Sequence, residues 1–199
     1  MSPISLENKR SLITGGARGL GHAFAEAAVA ANAQVMIADI LENEGNESAK
    51  KIGATFTILD LRDPQSIITC AEQTIEVLGG LDGLVNCGAI ATGIGGPTMS
   101  EIDIGVWDKV MEVNVRGTWL MSNAVIPYLA KNDSGKIVNI ASDTAMWGAP
   151  KLMSYVASKG AIISMTRSMS RELGSDNIAV NCIAPGLTLV EATEYVPED

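Results

Sequence analysis

Short apolar segments rich in β-branched residues alternate along the chain with longer segments whose apolar residues recur every three or four positions. The short segments predict buried strands, and the longer ones predict helices with one core-facing side. Such alternation is typical of βαβ units, in which helices cover both faces of a parallel sheet. The pattern therefore predicts an α/β fold.

Six strands and five helices follow from this pattern. The predicted strands are Arg10 to Thr14, Gln34 to Asp39, Thr55 to Asp60, Gly83 to Asn86, Lys136 to Ile140 and Ala179 to Ile183. The predicted helices are Gly19 to Ala31, Glu42 to Ile52, Pro64 to Leu78, Trp107 to Ala130 and Ser154 to Leu173. Pro64 behind Asp63 suits a helix start, Gly174 suits a helix end, and the glycine-rich stretch 88–97 suits a loop. Right-handed crossovers then predict a Rossmann-like, doubly wound parallel sheet in three layers, α/β/α, with residues 1–199 as one domain.

Charge and cysteine usage exclude several classes of function. The formal net charge of −9 provides no basic field for nucleic acid or an anionic membrane surface. No apolar run approaches the roughly 18 residues of a membrane span, and the N-terminus lacks a signal-peptide pattern. Cys70, Cys87 and Cys182 are widely spaced, and His22 has no partner at ligand spacing, so neither a disulfide nor a metal site is predicted. We expect a cytoplasmic protein.

A glycine-rich turn, TGGARGLG from Thr14 to Gly21, lies between the first predicted strand and helix. A backbone without side chains can approach a pyrophosphate there, and helix N–H groups face the anion. Glycine alone is weak evidence, because tight turns need it for conformational reasons. Asp39 ends the second strand, where a carboxylate can accept hydrogen bonds from an adenosine ribose. The candidate dinucleotide contacts in this half of the chain are Gly15, Arg18, Gly19, Leu20, Gly21, Asp39, Asp60 and Leu61.

Asp39 also predicts which dinucleotide binds. A 2′-phosphate about 4 Å from this carboxylate would be repelled by about 4 kcal/mol per charge pair at an effective dielectric near 20. We therefore expect NAD rather than NADP as the cofactor. Arg18 argues the other way, since its guanidinium could neutralise a 2′-phosphate, although it also suits a solvated surface charge. Asp60 could meet the adenine amino group or cap the following loop.

A serine, a tyrosine and a lysine supply candidate chemistry in the second half. Tyr155 and Lys159 are four residues apart on a predicted helix and so share one face. An ammonium beside a phenol favours phenolate, and lowering a phenol pKa from about 10 to about 7 takes roughly 4 kcal/mol. Ser142 follows the fifth strand, where its hydroxyl could orient a substrate oxygen. Taken singly, Ser142 suits a loop cap, Tyr155 a half-buried aromatic and Lys159 a solvated lysine. Together they predict proton exchange with an alcohol.

The glycine turn, Ser142 and the Tyr155-x-x-x-Lys159 pair together resemble the short-chain dehydrogenase/reductase family over essentially the whole chain. The resemblance implies a catalytic set of Asn114, Ser142, Tyr155 and Lys159, in which Asn114 holds a water that links Lys159 to solvent. It implies further cofactor contacts from Asn86, Gly88, Tyr155, Lys159, Pro185, Gly186 and Thr188. Cys87 and Gly88 depart from the family's Asn-Asn-Ala-Gly turn, which predicts altered backbone contacts to the adenosine ribose.

The same resemblance implies an NAD-dependent enzyme that acts on a small-molecule alcohol or ketone and assembles as a homotetramer or homodimer. Met146, Trp147, Leu152 and Leu187 flank the predicted site, where they could form an apolar wall for a cyclic or aromatic substrate or simply pack in the core. Family members usually continue through a substrate-covering segment, a seventh strand and a final helix. We therefore expect this sequence to lack the last strand and the lid.

Two alternatives remain open at this point. The first is reduction of 3-oxoacyl groups on an acidic acyl carrier protein, which would need a local basic patch from Arg167, Arg171 and Lys131. The second is a dinucleotide-binding sensor that uses the fold without turnover. The complete set of candidate catalytic residues favours an enzyme.

Overall fold

A six-stranded parallel sheet forms the centre of the structure, a computed structural model that describes residues 5–190. The strands are β1 (Arg10–Thr14), β2 (Gln34–Asp39), β3 (Thr55–Ile58), β4 (Gly83–Asn86), β5 (Gly135–Ile140) and β6 (Ile178–Ile183). Their order across the sheet is β3-β2-β1-β4-β5-β6, and every neighbouring pair is parallel. The chain reverses its direction of travel across the sheet between β3 and β4, which places the crevice of this fold at the carboxyl ends of β1 and β4.

Helices flank this sheet. They are α1 (Gly19–Ala30), α2 (Glu42–Ile52), α3 (Pro64–Leu78), α4 (Ile104–Met111), α5 (Thr118–Leu129), α6 (Thr144–Trp147) and α7 (Met153–Glu172). A π-helical segment, Glu112–Gly117, joins α4 to α5, and short 3₁₀ turns lie at Met99–Glu101 and Leu173–Asp176. The expected Rossmann-like α/β architecture is confirmed.

Alternation along the central strands divides the core into two layers. Leu12 and Met36 point toward a cluster that includes buried residues of α3 and α5, with Met169 of α7 packed against it. Their neighbours Ile13 and Ile37 point to the opposite cluster, which α1 and α2 cover. Because successive side chains of a strand face opposite sides, strands buried on both faces read as continuous apolar runs.

Most predicted boundaries agree with the structure, and the differences have local causes. β3 ends at Ile58 rather than Asp60, because Asp60 leaves the sheet and donates its backbone N–H to Ser66 Oγ at 2.9 Å. The helix predicted from Trp107 starts at Ile104, since the Asp103 side chain accepts from the backbone N–H of Val106.

Some predicted helix ends agree with the structure and others do not. Asp63 caps α3 by accepting from the Gln65 N–H at 2.9 Å, with Pro64 in the first turn, as predicted. The expected end at Gly174 is wrong, because α7 passes into a 3₁₀ turn that stops at Asn177, which has a left-handed backbone. The helix α6 was not predicted, since four residues are too few for a periodic pattern.

Two features are absent within residues 5–190. None of the helices in this range is both long and apolar enough to cross a membrane. The same range contains no group of three or more His, Cys, Asp or Glu side chains placed to hold a metal ion.

Candidate functional site

A cleft of about 580 Å³ opens at the carboxyl ends of the central strands. Its size lies within the usual range for small-molecule sites. Nearly all of the candidate residues line it. They are Gly15, Arg18, Gly19, Leu20, Gly21, Asp39, Asp60, Leu61, Gly88, Ser142, Tyr155, Lys159, Pro185, Gly186 and Thr188. The structure thus brings together residues that are far apart in sequence.

The turn between β1 and α1 has room only for glycine at several positions. Gly15 has φ of +68°, and a Cβ there would lie 2.7 Å from the Cα of Gly88. A Cβ on Gly21 would lie 2.0 Å from the carbonyl oxygen of Gly15. The backbone therefore forms one side of the cleft directly, with the N-terminus of α1 facing it, as a phosphate-binding turn requires.

Asp39 lies beside this turn in a fixed orientation. Its Oδ2 accepts from the N–H of Ala17 and its Oδ1 accepts from the N–H of Leu41, both at 3.1 Å. These two bonds hold the carboxylate at the rim of the cleft. Arg18 is exposed and lines the same rim.

Asp60 is engaged locally. Its Oδ1 accepts from the backbone N–H of Arg62 at 2.8 Å, and its Oδ2 accepts from the Arg62 guanidinium at 2.7 Å. The Arg62 guanidinium also holds the pKa of this carboxyl below its usual value. Loop capping, one of the two roles considered for Asp60, is what the structure shows, while the residue still lines the cleft.

One threonine at the end of β1 forms hydrogen bonds with the turn after β4. Thr14 Oγ1 accepts from the N–H groups of Cys87 and Gly88 at 3.1 and 3.0 Å. A Cβ on Gly88 would lie 3.0 Å from Leu61 Cδ1 and 3.2 Å from the Gly15 nitrogen. The departure at Gly88 thus permits close packing between two loops. Cys87 also lines the cleft, and burial raises the pKa of its thiol to about 11.

Ser142, Tyr155 and Lys159 converge at the other end of the cleft. Ser142 follows β5, and its Oγ accepts from Thr144 Oγ1 at 2.8 Å. Tyr155 and Lys159 lie on the same face of α7, with the lysine Nζ 5.6 Å from the centre of the tyrosine ring. Lys159 is 4% exposed and donates to the carbonyl oxygen of Ile140 at 2.7 Å.

Burial changes the charge balance of this lysine. Desolvation lowers the pKa of Lys159 to about 8, because burial removes the ammonium from water and so disfavours its charged form. The amine still carries a proton most of the time at neutral pH. It therefore places a positive charge beside a phenol in a partly dry cleft.

Asn114 lies in the π-helical segment and does not line the cleft. Its Oδ1 accepts from the N–H of Ile90 at 2.8 Å, while its Nδ2 donates to Ile90 O and to Ser158 Oγ, both at 3.1 Å. Ser158 in turn donates to the backbone oxygen of Tyr155. The amide therefore joins the loop after β4 to α7 directly behind the tyrosine.

Asn86 is also placed away from the cleft. Its side chain is 5% exposed, and its Nδ2 donates to Ser122 Oγ and to Asn139 Oδ1, both at 2.9 Å. These bonds link β4 to α5 and β5. The structure therefore does not bring this predicted cofactor contact to the site through its side chain.

The segment after β6 packs against the Ser142 end of the cleft. The N–H of Asp143 donates to Pro185 O at 3.0 Å, which holds this segment against the Ser142 turn. A Cβ on Gly186 would lie 3.4 Å from the Asp143 carboxylate. Thr188 Oγ1 donates to Gly186 O at 3.2 Å.

The large apolar side chains predicted to form a wall do not line the cleft, and three of the four are exposed. Met146 and Trp147 on α6 are 70% and 62% exposed, and Leu187 is 68% exposed. Core packing, the alternative considered for this predicted wall, does not account for these three residues. Leu152 is partly buried against Gly95 of the glycine-rich loop.

Several lining residues were not predicted. They include Ile40, Leu41, Arg62, Ala91, Thr92, Lys109 and Val113. No sequence motif includes Arg62 or Lys109. Arg62 does follow Asp60 and Leu61, which were candidate cofactor contacts. Lys109 on α4 reaches the cleft only through the packing of that helix.

With this geometry established, comparisons with known proteins identify the family. The family model described as short chain dehydrogenase matches residues 9–199. The chain belongs to the short chain dehydrogenase family. It is therefore an oxidoreductase that acts on CH–OH groups.

Individual relatives agree with this family assignment. A 3-alpha-(or 20-beta)-hydroxysteroid dehydrogenase of Mycobacterium bovis is 35% identical over 196 residues, which cover 98% of this chain and 74% of that protein. A 3-oxoacyl-acyl-carrier-protein reductase of Thermotoga maritima is 33% identical over 200 residues, covering 98% and 80%. The crystal structure of a 3-ketoacyl-acyl-carrier-protein reductase from Brucella melitensis, complexed with NADH, superposes with a TM-score of 0.91 at 28% identity, covering 94% and 79%.

Proposed function

We propose that this short chain dehydrogenase transfers a hydride between NAD(H) and the CH–OH or C=O carbon of a small, uncharged, largely apolar alcohol or ketone. One observation carries the proposal. A single cleft is lined at one end by the glycine turn and Asp39, and at the other by Ser142, Tyr155 and Lys159.

The residues present fit a nicotinamide dinucleotide. The side-chain-free turn at Gly15 and Gly21 leaves backbone next to the cleft, and the N-terminus of α1 suits an anionic pyrophosphate. Asp39 suits two ribose hydroxyls, since a carboxylate accepts two hydrogen bonds in parallel. When bound, the nicotinamide ring accepts or supplies the hydride.

Cofactor choice rests on the fixed carboxylate of Asp39. Two backbone N–H groups hold it in place, so it cannot move away from a 2′-phosphate without losing both bonds. Arg18, Arg62 and Lys109 line the same cleft and would offset part of the repulsion. We expect a preference for NAD that these cations reduce but do not reverse.

The catalytic end then supplies orientation and proton transfer. Ser142 uses its oxygen to accept from Thr144, which leaves its own hydrogen to donate to a substrate oxygen. Tyr155 exchanges a proton with that oxygen, and the positive charge of Lys159 favours the phenolate form. Asn114 holds the Ile90 loop against α7 and so positions Tyr155. A water that joins Lys159 to solvent remains a prediction for this residue.

The substrate class follows from the exposed apolar residues Met146, Trp147 and Leu187. They do not line the cleft, but they follow the cleft-lining residues Ser142 and Gly186 in sequence, and exposed apolar surface of this kind suits a cyclic or aromatic ring system. One of the relatives, a hydroxysteroid dehydrogenase, is named for a cyclic substrate of that kind.

The experiment that tests this function is a screen for absorbance change at 340 nm. Purified protein with NAD is offered cyclic, aromatic and straight-chain secondary alcohols, and with NADH the corresponding ketones. The proposal predicts turnover that is faster with cyclic or aromatic substrates than with straight-chain ones. Tight NADH binding without turnover anywhere in the panel would instead favour the sensor function.

A second candidate is reduction of 3-oxoacyl groups on acyl carrier protein. It is favoured by the two acyl-carrier-protein reductases among the relatives and by Arg167 and Arg171, which are exposed one turn apart on α7. An Arg171→Glu variant distinguishes the two functions. If this candidate is correct, the variant loses rate on carrier-bound substrate but keeps its rate on a free 3-oxoacyl thioester.

A homotetramer is the assembly that we propose. Trp119 on α5 is 53% exposed although it is a large aromatic residue, which suits a contact between subunits. Sedimentation of wild-type protein and of Trp119→Lys tests this. The proposal predicts a tetramer for the first and a smaller species for the second.

A further inference from the structure

Gly117, the last residue of the π-helical segment, lies directly behind one wall of the cleft. A Cβ on Gly117 would be 2.8 Å from both the Cβ and the carbonyl oxygen of Leu61. Leu61 lines the cleft and is 8% exposed, whereas Gly117 is buried and does not line it. Because one of these contacts is with backbone, an added methyl group cannot be accommodated by a rotamer change of Leu61.

Arg116, which precedes Gly117, contacts the same loop at Arg62, the residue after Leu61. Its Nη2 donates to the carbonyl oxygen of Arg62 at 2.9 Å, while its Nη1 pairs with Glu112 at 3.0 Å within the π-helical segment. Arg62 itself is bonded to Asp60. The loop 60–62 is thus held against the π-helical segment at two adjacent points.

The loop after β4 is held by the same segment. Asn114 binds both the N–H and the carbonyl oxygen of Ile90, which also lines the cleft. Asn114, Arg116 and Gly117 of this six-residue segment therefore hold two loops that line the cleft, and Val113 lines the cleft directly. One short piece of irregular helix therefore packs against both loops.

We propose that Gly117 and Arg116 are positioning residues that fix the 60–62 loop where the cleft receives the adenosine half of the dinucleotide. This inference rests on the proposed NAD(H) function. Carbon atoms in contact lie about 3.5 to 4.0 Å apart, so a methyl group on residue 117 displaces the Leu61 backbone by about 1 Å. Because Leu61 lines the cleft, this displacement moves part of the cleft wall.

The test measures binding of ADP-ribose, which contains the adenosine half without the reactive ring. Titration calorimetry compares wild type, Gly117→Ala and Arg116→Met. A displacement near 1 Å predicts a Kd for ADP-ribose raised about ten-fold or more in Gly117→Ala. Loss of one hydrogen bond predicts a rise of about five-fold in Arg116→Met. Gly174→Ala is the matched control, since a Cβ there meets nothing within 4 Å.

A readout beyond affinity separates positioning from general loosening. At saturating NAD, kcat of Gly117→Ala and Arg116→Met stays within about two-fold of wild type, because the catalytic end is untouched. An unchanged ADP-ribose Kd in both variants overturns the inference, as does a fall in kcat with an unchanged Kd. Should Gly117→Ala not fold, Arg116→Met decides, since its side chain is exposed.

The two proposals fail in different ways. If wild type binds neither ADP-ribose nor NADH, the proposed function is wrong. If wild type binds both and the two variants bind equally well, only the role of Gly117 and Arg116 is wrong.

Discussion

The two ends of the cleft are built by opposite means. The end near Asp39 depends on close backbone packing, which requires that residues 15, 21 and 117 are glycine. The end near Tyr155 is mostly side chain, with Lys159 buried against Ile140. The first end is sensitive to added volume, and the second is sensitive to lost charge.

This difference assigns separate tasks to the two ends. Backbone close packing gives a fixed surface for a ligand that must bind in one orientation, since few atoms there can move. A buried amine gives a charge that costs stability but favours a reactive phenolate. Variants at one end should therefore change affinity, and variants at the other should change rate.

The largest effect is expected from Lys159→Met. Loss of the positive charge beside Tyr155 removes the stabilisation of phenolate, and turnover should fall by about 10³-fold. Steady-state rates at saturating NAD measure this. Lys51→Met on the exposed face of α2 is the matched control and should keep the wild-type rate. A lysine variant with more than a tenth of wild-type turnover would contradict the role of this charge.

Lys159→Met is also expected to be more stable relative to wild type at low pH than at high pH. Burial lowers the folded pKa of Lys159 to about 8 from 10.5, so the folded state holds fewer protons than the unfolded state between these values. The free energy of unfolding therefore rises with pH in that window. The destabilisation by the buried charge is fully present below pH 8, where it amounts to about 3 kcal/mol.

Denaturant unfolding of wild type and Lys159→Met from pH 7.5 to 10.5 tests the sign. The variant should gain relative stability at pH 7.5, and the difference between the two proteins should shift by about 3 kcal/mol in favour of wild type as pH rises. A constant difference across this range would show that the amine is not desolvated in solution.

At the opposite end, Gly21→Ala should reduce affinity without a direct effect on chemistry. A Cβ that would lie 2.0 Å from Gly15 O forces the turn open. We expect the Kd for NADH to rise about a hundred-fold, because the turn is displaced by an ångström or more. Quenching of NADH fluorescence measures it, and Gly174→Ala again serves as the control. An unchanged Kd would mean that the turn does not contact the dinucleotide.

A smaller change is expected from Asp39→Ala. Without the carboxylate, the ratio of kcat/KM for NAD to that for NADP should narrow by about ten-fold or more, less than the repulsion of an isolated pair would give. Arg18, Arg62 and Lys109 limit the effect. The reading of Asp39 is contradicted if the ratio does not change.

Local patterns explain what could be predicted from the sequence. The strands β1, β2 and β4 begin and end at the predicted residues, because each is a short apolar run ended by a turn or a polar residue. The glycine turn and the Tyr155–Lys159 pair are likewise compact motifs. Their meeting in one cleft follows from strand order, which βαβ alternation already implied.

Contacts between distant segments explain what could not be predicted. Nothing near Gly117 in sequence shows that Leu61 packs on it, and nothing near Asn86 shows that its amide bonds Asn139. The exposure of Trp147 depends on α6, which is too short for periodicity to reveal. That residues 1–199 form one domain, and that the protein is cytoplasmic, both stay predictions.

The central claim is that Tyr155 transfers the proton while the rest of the cleft binds NAD(H). The most direct measurement uses one preparation of Tyr155→Phe for NADH titration and for turnover. The account predicts a Kd for NADH within about two-fold of wild type and a rate lowered by about 10³-fold or more, because only the phenolic oxygen is lost. A variant that retains wild-type turnover, or that loses rate only in proportion to lost NADH binding, would contradict it.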